Sequence, residues 1–214
     1  MVLLLGAISM TLDHVGLLWG VPWLRVVGRL ALPLFAYQVV VSYHRTSSVP
    51  RYAVRLLLFA IASQPFYSLL CPGAANVLFL FAAAVCILRL WDSLCASSLS
   101  TPYSYSAFAV CIATAYLLLI RFKVDYGAYG LLLIWLVEIT RSSKRQMILA
   151  YVVLTGLASI LGFVRCDQIF GVLSFMLPLE RFKRISIWKY SYYFFYPAHI
   201  LALTTVRNLI SLKQ

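Results

Sequence analysis

The chain has 214 residues, 63% hydrophobic and only 11% charged, with a net charge of +12 and a mean hydropathy of +0.92. A soluble domain carries about 25% charged residues, so a water-soluble fold is excluded and an all-α, polytopic transmembrane helical bundle is expected. A membrane β-barrel would show short alternating segments, whereas the apolar runs here are continuous and rich in Leu, Ala and Val.

The first apolar run, 1–19, has no basic n-region, and Asp13 and His14 stand where a small-residue cleavage site would lie, so it is expected to be retained as a span. A span needs about 20 apolar residues. Further segments follow at roughly 26–43, 52–70, 76–91, 104–121, 124–139, 147–164, 168–179 and 190–210. Turn signals separate them: Gly20 with Pro22, Ser47 to Pro50, Pro72-Gly73, Ser97 to Pro102, and Ser142-Ser143. The eighth segment is short, so the expectation is about eight or nine spans, the smaller number leaving one re-entrant or interfacial piece. No linker, repeat or soluble domain interrupts 1–214, which reads as a single membrane domain.

The cations sit at the ends of the apolar runs, which the positive-inside rule explains without a nucleic-acid partner. Counted over nine spans, the loops on the N-terminal side carry Arg45, Arg51, Arg55, Arg89, Arg141, Lys144, Arg145, Arg181, Lys183, Arg184 and Lys189. The other side carries Arg25, Arg29, Arg121, Lys123, Arg165, Arg207 and Lys213. That bias places the N-terminus and the first set of loops in the cytoplasm. The cysteines Cys71, Cys86, Cys95, Cys111 and Cys166 are scattered with no CxxC pair, so neither a metal site nor a redox motif is expected.

Charged groups inside spans are rare and face a cavity or each other, so function is sought there. In this orientation Asp13 and His14, Arg25 and Arg29, Gln64, Asn76, and Asp125 with Tyr126 all fall toward the outer ends of their spans. His199 lies near the middle of the last. A carboxylate beside an imidazole can fix its tautomer and make it a general base or nucleophile; an interfacial Asp-His at a helix end is the alternative. Arg25 and Arg29 share a helix face and can hold a carboxylate, a phosphate or an oxyanion, or can simply pair with Asp13. Lys189, Tyr192, Tyr196 and His199 form one stripe, with Pro197 expected to break the helix locally. An aromatic belt explains the tyrosines but not His199. Asp125 reads equally well as a helix cap, and His44 as a surface residue.

In order along the chain, several stretches resemble the TraX family, membrane proteins linked to N-terminal acetylation of conjugative F-type pilin. They are Met10-Thr11-Leu12-Asp13-His14-Val15-Gly16; Gly28-Arg29-Leu30-Ala31-Leu32-Pro33-Leu34-Phe35-Ala36; Thr46, Tyr52, Arg55 and Leu56; and Phe59-Ala60 with Gln64-Pro65-Phe66. Asn76-Val77-Leu78-Phe79, Asp125-Tyr126-Gly127 and Phe195-Tyr196-Pro197-Ala198-His199 complete the series. The family often has Glu-Gly where this chain has Val41-Ser42.

The resemblance implies a multi-pass protein of the bacterial inner membrane that transfers acetyl from acetyl-CoA to the N-terminal amine of a pilin or similar acceptor. On that reading His14 is the base, held by Asp13; Arg29 stabilises the oxyanion; and His199 is a second acid/base or orienting group. Arg25, Asn76, Asp125, Tyr126 and Tyr196 contact the acceptor, and Arg141, Lys144 and Arg145 hold the phosphates of the coenzyme. A proton-coupled transporter or a scaffold for pilus assembly is the alternative, since intramembrane Asp, His and Arg also build proton and substrate pathways.

Overall fold

The computed structural model describes residues 1–96, 101–182 and 191–211, and among these the protein is helical with no strand. The expected Lys183, Arg184 and Lys189, and most of the turn Ser97 to Pro102, lie outside the described residues.

Eight helices follow in turn: α1 (Val2–Trp19), α2 (Pro22–Gly28), α3 (Ala31–Arg45), α4 (Val49–Leu70), α5 (Val77–Cys95), α6 (Thr101–Arg121), α7 (Gly127–Thr140) and α8 (Lys144–Ile160). A 3-10 turn, Cys166–Gly171, runs into the short α9 (Val172–Met176), and a second, Leu179–Arg181, precedes the described part of the last helix, α10 (Ser191–Ser211). The boundaries have local causes. Pro22 starts α2, where a missing N–H costs nothing. Ser48, Asn76 and Ser143 cap α4, α5 and α8 by accepting from the backbone N–H of Arg51, Leu78 and Gln146.

Val2–Trp19, Pro22–Arg45, Val49–Leu70 and Val77–Cys95 are long and apolar enough to cross a membrane; Tyr105–Arg121 and Gly127–Thr140 are apolar but shorter. The second of these spans is α2 and α3 taken together, with a tightened turn at Arg29 and Leu30 between them. Pro33 has no N–H for the carbonyl of Arg29. Neighbouring hydroxyls serve the carbonyls of this turn: Ser9 Oγ donates to Val27 (2.8 Å) and Gly28 (3.2 Å), and Ser174 Oγ donates to Leu30 (3.0 Å). The eighth apolar segment is irregular. At eleven residues Cys166–Met176 covers about 17–20 Å, short of a bilayer core of about 30 Å. It begins beside Arg29, through Asp167, and ends beside α8, where Lys144 Nζ donates to the carbonyls of Met176 (2.7 Å) and Leu177 (3.3 Å).

The core lies where α3, α5 and α7 meet, around Leu34, Val40, Leu80, Val85, Leu133, Ile134 and Val137. The outside is apolar as well. On α4 the exposed residues Val54, Leu57, Leu58 and Ile61 fall at helical spacing, and α6 and α8 expose Val110, Leu117, Leu118, Leu149, Val153 and Leu157. A soluble protein turns such stripes inward; here they face lipid.

Consecutive antiparallel helices place alternate turns at opposite ends. The α1–α2, α4–α5 and α6–α7 turns share one end. There the Ala75–Val124 parallel bridge joins the last two, with Asp125 N–H donating to Ala75 O (2.9 Å). Arg45, Arg51, Arg141, Lys144 and Arg145 sit at the other, basic end.

Candidate functional site

The site grows from the hairpin of α1 and α2. Two glycines let these helices touch. A Cβ on Gly28 would stand 2.3 Å from Asp13 Cβ, and one on Gly16 would stand 2.7 Å from Arg25 Cγ. Small residues at this seam bring Asp13 against Arg25 and Arg29, as close helix packing in membranes requires. Asp13 Oδ1 lies 3.6 Å from Arg25 Nε and 3.7 Å from Arg29 Nη1. Both are ion-pair distances but too long for hydrogen bonds, and Asp13 Oδ1 and Arg25 Nε are buried without a hydrogen-bond partner.

Arg29 is held by a residue that the sequence did not single out. Its Nε and Nη2 donate to Oδ1 (3.1 Å) and Oδ2 (3.3 Å) of Asp167, a two-bond fork from a residue 138 positions away. With Asp167 on one side and Asp13 on the other, the guanidinium is largely engaged by protein carboxylates. The pairing alternative therefore describes Arg29 better than an oxyanion role. Arg25 has the weaker pairing of the two.

The imidazole of His14 turns away from its neighbour Asp13, because adjacent helix positions point about 100° apart. This corrects the expectation that Asp13 holds His14. His199 does so instead: His14 Nδ1 and His199 Nε2 are 2.9 Å apart, and the two rings lie nearly coplanar, edge to edge, with their centroids 5.1 Å apart. The tautomers follow from the next link. His199 Nδ1 lies 2.9 Å from the carbonyl of Phe195, which can only accept, so Nδ1 of His199 carries the proton. In the neutral ring His199 Nε2 is then an acceptor, and His14 Nδ1 donates to it. This leaves the lone pair of His14 on Nε2, which makes no hydrogen bond among the described residues. Phe195 stacks on His199 at 4.9 Å and Tyr196 meets its edge at 5.7 Å, which fixes the ring. Pro197 does not break α10, which runs through it.

The other expected residues divide. Tyr126 stands in the field of Arg29 and sits at φ 59°, an uncommon conformation for a bulky residue of the kind that collects at functional sites. Asp125 lies near the Tyr67 hydroxyl and stands in the field of Asp13 and Arg29, so it belongs to the same buried cluster. The N-cap position of α7 is Tyr126, with no side-chain cap.

Asn76 is fully buried and fully engaged. It accepts from Leu78 N–H and donates to Ala60 O (2.8 Å) and Gln64 Oε1 (2.9 Å). It holds the α4–α5 turn with Gln64 and has no polar atom left for an acceptor, which corrects its expected binding role. Arg141, Lys144 and Arg145 lie one length of α7 away, about 21 Å. Of these, Arg141 pairs with Glu138 (3.5 Å) and Lys144 with the end of α9. His44 is exposed at the same basic end, though its Nε2 lies 2.8 Å from Glu138 Oε2.

Fold and site together define a helical membrane protein that keeps an imidazole pair and a cluster of opposite charges between its apolar helices. The family model for TraX protein matches residues 1–207, and the chain belongs to the TraX family. Among curated proteins, the probable fimbrial assembly protein FimC, serogroup H1, of Dichelobacter nodosus is 27% identical over 243 aligned positions, which cover 96% of this chain and 94% of that protein. No solved structure matches.

Proposed function

We propose that this protein is an acyltransferase of the bacterial inner membrane that moves an acetyl group from acetyl-CoA to the N-terminal amine of a pilin-type acceptor. The observation that carries the reading is the His14–His199 pair, in which a hydrogen-bond chain ending at the Phe195 carbonyl leaves the lone pair on Nε2 of His14. Membership of the TraX family and the fimbrial-assembly name of the relative support the pilus context.

An amine attacks a thioester only after losing its proton, and a neutral imidazole is suited to take it. In the proposed step the amine nitrogen bonds to the thioester carbonyl carbon while Nε2 of His14 takes an N–H proton. The C–S bond then breaks, and the thiolate leaves with that proton. His199 keeps its own proton on Nδ1 and accepts from Nδ1 of His14, so it orients the base and supports the imidazolium that forms. Arg25 is the better placed guanidinium for the developing oxyanion, since Asp167 engages Arg29. Arg141, Lys144 and Arg145 are the candidates for the coenzyme phosphates.

The test is mass spectrometry of the acceptor N-terminus at matched membrane protein level. His14→Ala is expected to cut acetylation by about 10²–10⁴-fold, the usual contribution of a general base. Wild-type acetylation in that strain would remove His14 from the chemistry. A proton-coupled transporter or an assembly scaffold is the competing reading. A scaffold predicts normal pilus assembly without His14, and a transporter predicts that purified protein does not bind acetyl-CoA.

A further inference from the structure

Making an amide from an ammonium sheds two protons from one nitrogen. An α-amino group has a pKa of about 8, so at neutral pH the acceptor arrives mostly as R–NH3+. His14 carries one proton to the departing thiolate. The other must leave first, because an ammonium has no lone pair with which to attack.

That first proton must also leave near water. His14 stands five residues before Trp19, the end of α1, and so about 8 Å below it. A charged ammonium is costly to carry into an apolar interior. The group that takes the proton therefore belongs above His14, at the end where the α1–α2, α4–α5 and α6–α7 turns meet.

Asp125 is at that end. It lies half-buried in the α6–α7 turn, which is tied to Ala75 in both directions: Ala75 N–H donates to Lys123 O (3.2 Å), and Asp125 N–H donates to Ala75 O (2.9 Å). Asp13 and Asp167 each have an arginine within ion-pair distance, whereas Asp125 has none among the described residues. The groups in its field are Tyr67 and Cys71 from the end of α4, Asp13 of α1, Arg29, its neighbour Tyr126, and Tyr196 of α10. Lys123, in the same turn, is exposed. A carboxylate without a fixed counter-ion, among tyrosine oxygens that can accept an N–H, suits an ammonium. Tyr196 joins this place to the imidazoles, since its ring meets that of His199 at 5.7 Å.

Burial raises the Asp125 acid to about 6, with Tyr67 and Arg29 pulling against the rise and Asp13 adding to it. The carboxyl is then ionised at neutral pH and ready to accept, yet nearer to an amine in basicity than an ordinary aspartate.

We propose that Asp125 is a second base of the reaction: its carboxylate binds the acceptor's ammonium at the mouth of the site, takes one N–H proton and releases it to water, so that a neutral amine reaches His14. This rests on the acyl-transfer reading and deepens it. In balance, R–NH3+ and the Asp125 carboxylate give R–NH2 and the carboxylic acid, which returns its proton to water. The amine nitrogen then bonds to the thioester carbonyl carbon, the C–S bond breaks, and the second proton leaves with the thiolate through His14.

The test is the pH profile of kcat/KM for purified protein with acetyl-CoA and a short apolar peptide bearing a free N-terminal amine. Wild type takes the ammonium, so its rate should stay level from about pH 8 down to about pH 6 and fall only as Asp125 becomes protonated. Asp125→Asn can use only the neutral amine, about one molecule in eleven at a pH one unit below the amine pKa. Its rate should fall about tenfold per unit below about pH 8, lie about tenfold under wild type at about pH 7, and meet wild type by about pH 9. A deficit that is the same at every pH is what a merely structural role gives, and it overturns the proposal. So does a wild-type profile that already falls about tenfold per unit below about pH 8, a result that needs no variant to fold. A peptide with an N-terminal aminooxy group, neutral without help, should be acetylated alike by Asp125→Asn and wild type; an equal loss on both acceptors also overturns the assignment. Wild type that acetylates neither acceptor at any pH sinks the acyl-transfer reading itself, and the role of Asp125 with it.

Discussion

Replacing Gly28 by alanine tests the geometry that assembles the charge cluster. The new Cβ would lie 2.3 Å from Asp13 Cβ and 2.8 Å from Asp13 Cα. Carbon atoms pack at about 3.5–4.0 Å, so α1 and α2 must part by more than about 1 Å. The obstacle is main chain and Cβ, not the end of a flexible side chain. Overpacking of this kind costs about 1–3 kcal/mol, and it moves Asp13 away from two arginines that it reaches only at 3.6 and 3.7 Å. Gly156 is the control: it lies within α8, and a Cβ there meets nothing within 4 Å. Gly156→Ala should be neutral or stabilising by up to about 1 kcal/mol through helix propensity. The assay is an unfolding titration in mixed micelles, comparing the two variants with wild type. Gly28→Ala at or above wild-type stability would refute the close approach of the two helices, and with it the placing of Asp13 between Arg25 and Arg29.

Asp167→Asn should destabilise the same titration, but by less than the about 3–5 kcal/mol of a fully unpaired buried charge, because Asp13 still lies 3.7 Å from Arg29; a change within error would show that the fork with Arg29 is not formed. His199→Ala should lower acetylation less than His14→Ala does, since Nε2 of His14 survives but loses the partner that fixes its tautomer; equal loss for the two would make His199 a reacting group itself. Arg29→Lys keeps the charge and loses the planar fork, so it should reduce folded protein in the membrane and not only turnover. Single-cysteine variants in the turn 46–48 should resist an impermeant reagent in intact spheroplasts and react after lysis; labelling in intact spheroplasts would invert the orientation.

The class of the protein was legible in the sequence because lipid imposes it. Every backbone group must bond within its own segment, so long apolar runs punctuated by Gly20, Pro72-Gly73 and Ser142-Ser143 can only be helices and turns. The same cost marked Asp13, His14, Arg25, Arg29 and His199, since a polar group placed in hydrocarbon stands out from its neighbours. Partnership was not legible. Asp13 and His14 adjoin in the chain, yet helix geometry sends them to different partners. The imidazole partner is His199, 185 residues on, brought in only by the packing of α10 on α1. Asp167 sits in a short irregular piece with no periodic pattern to draw notice, and only the docking of that piece against the turn at Arg29 gives it a role. Asn76 shows the converse: its polarity and place at a helix start looked functional, but the α4–α5 turn uses every hydrogen bond it can make. The sequence determines which groups are costly in the membrane. The tertiary structure decides which of them pay that cost against each other: Arg29 against Asp167, and His14 against His199.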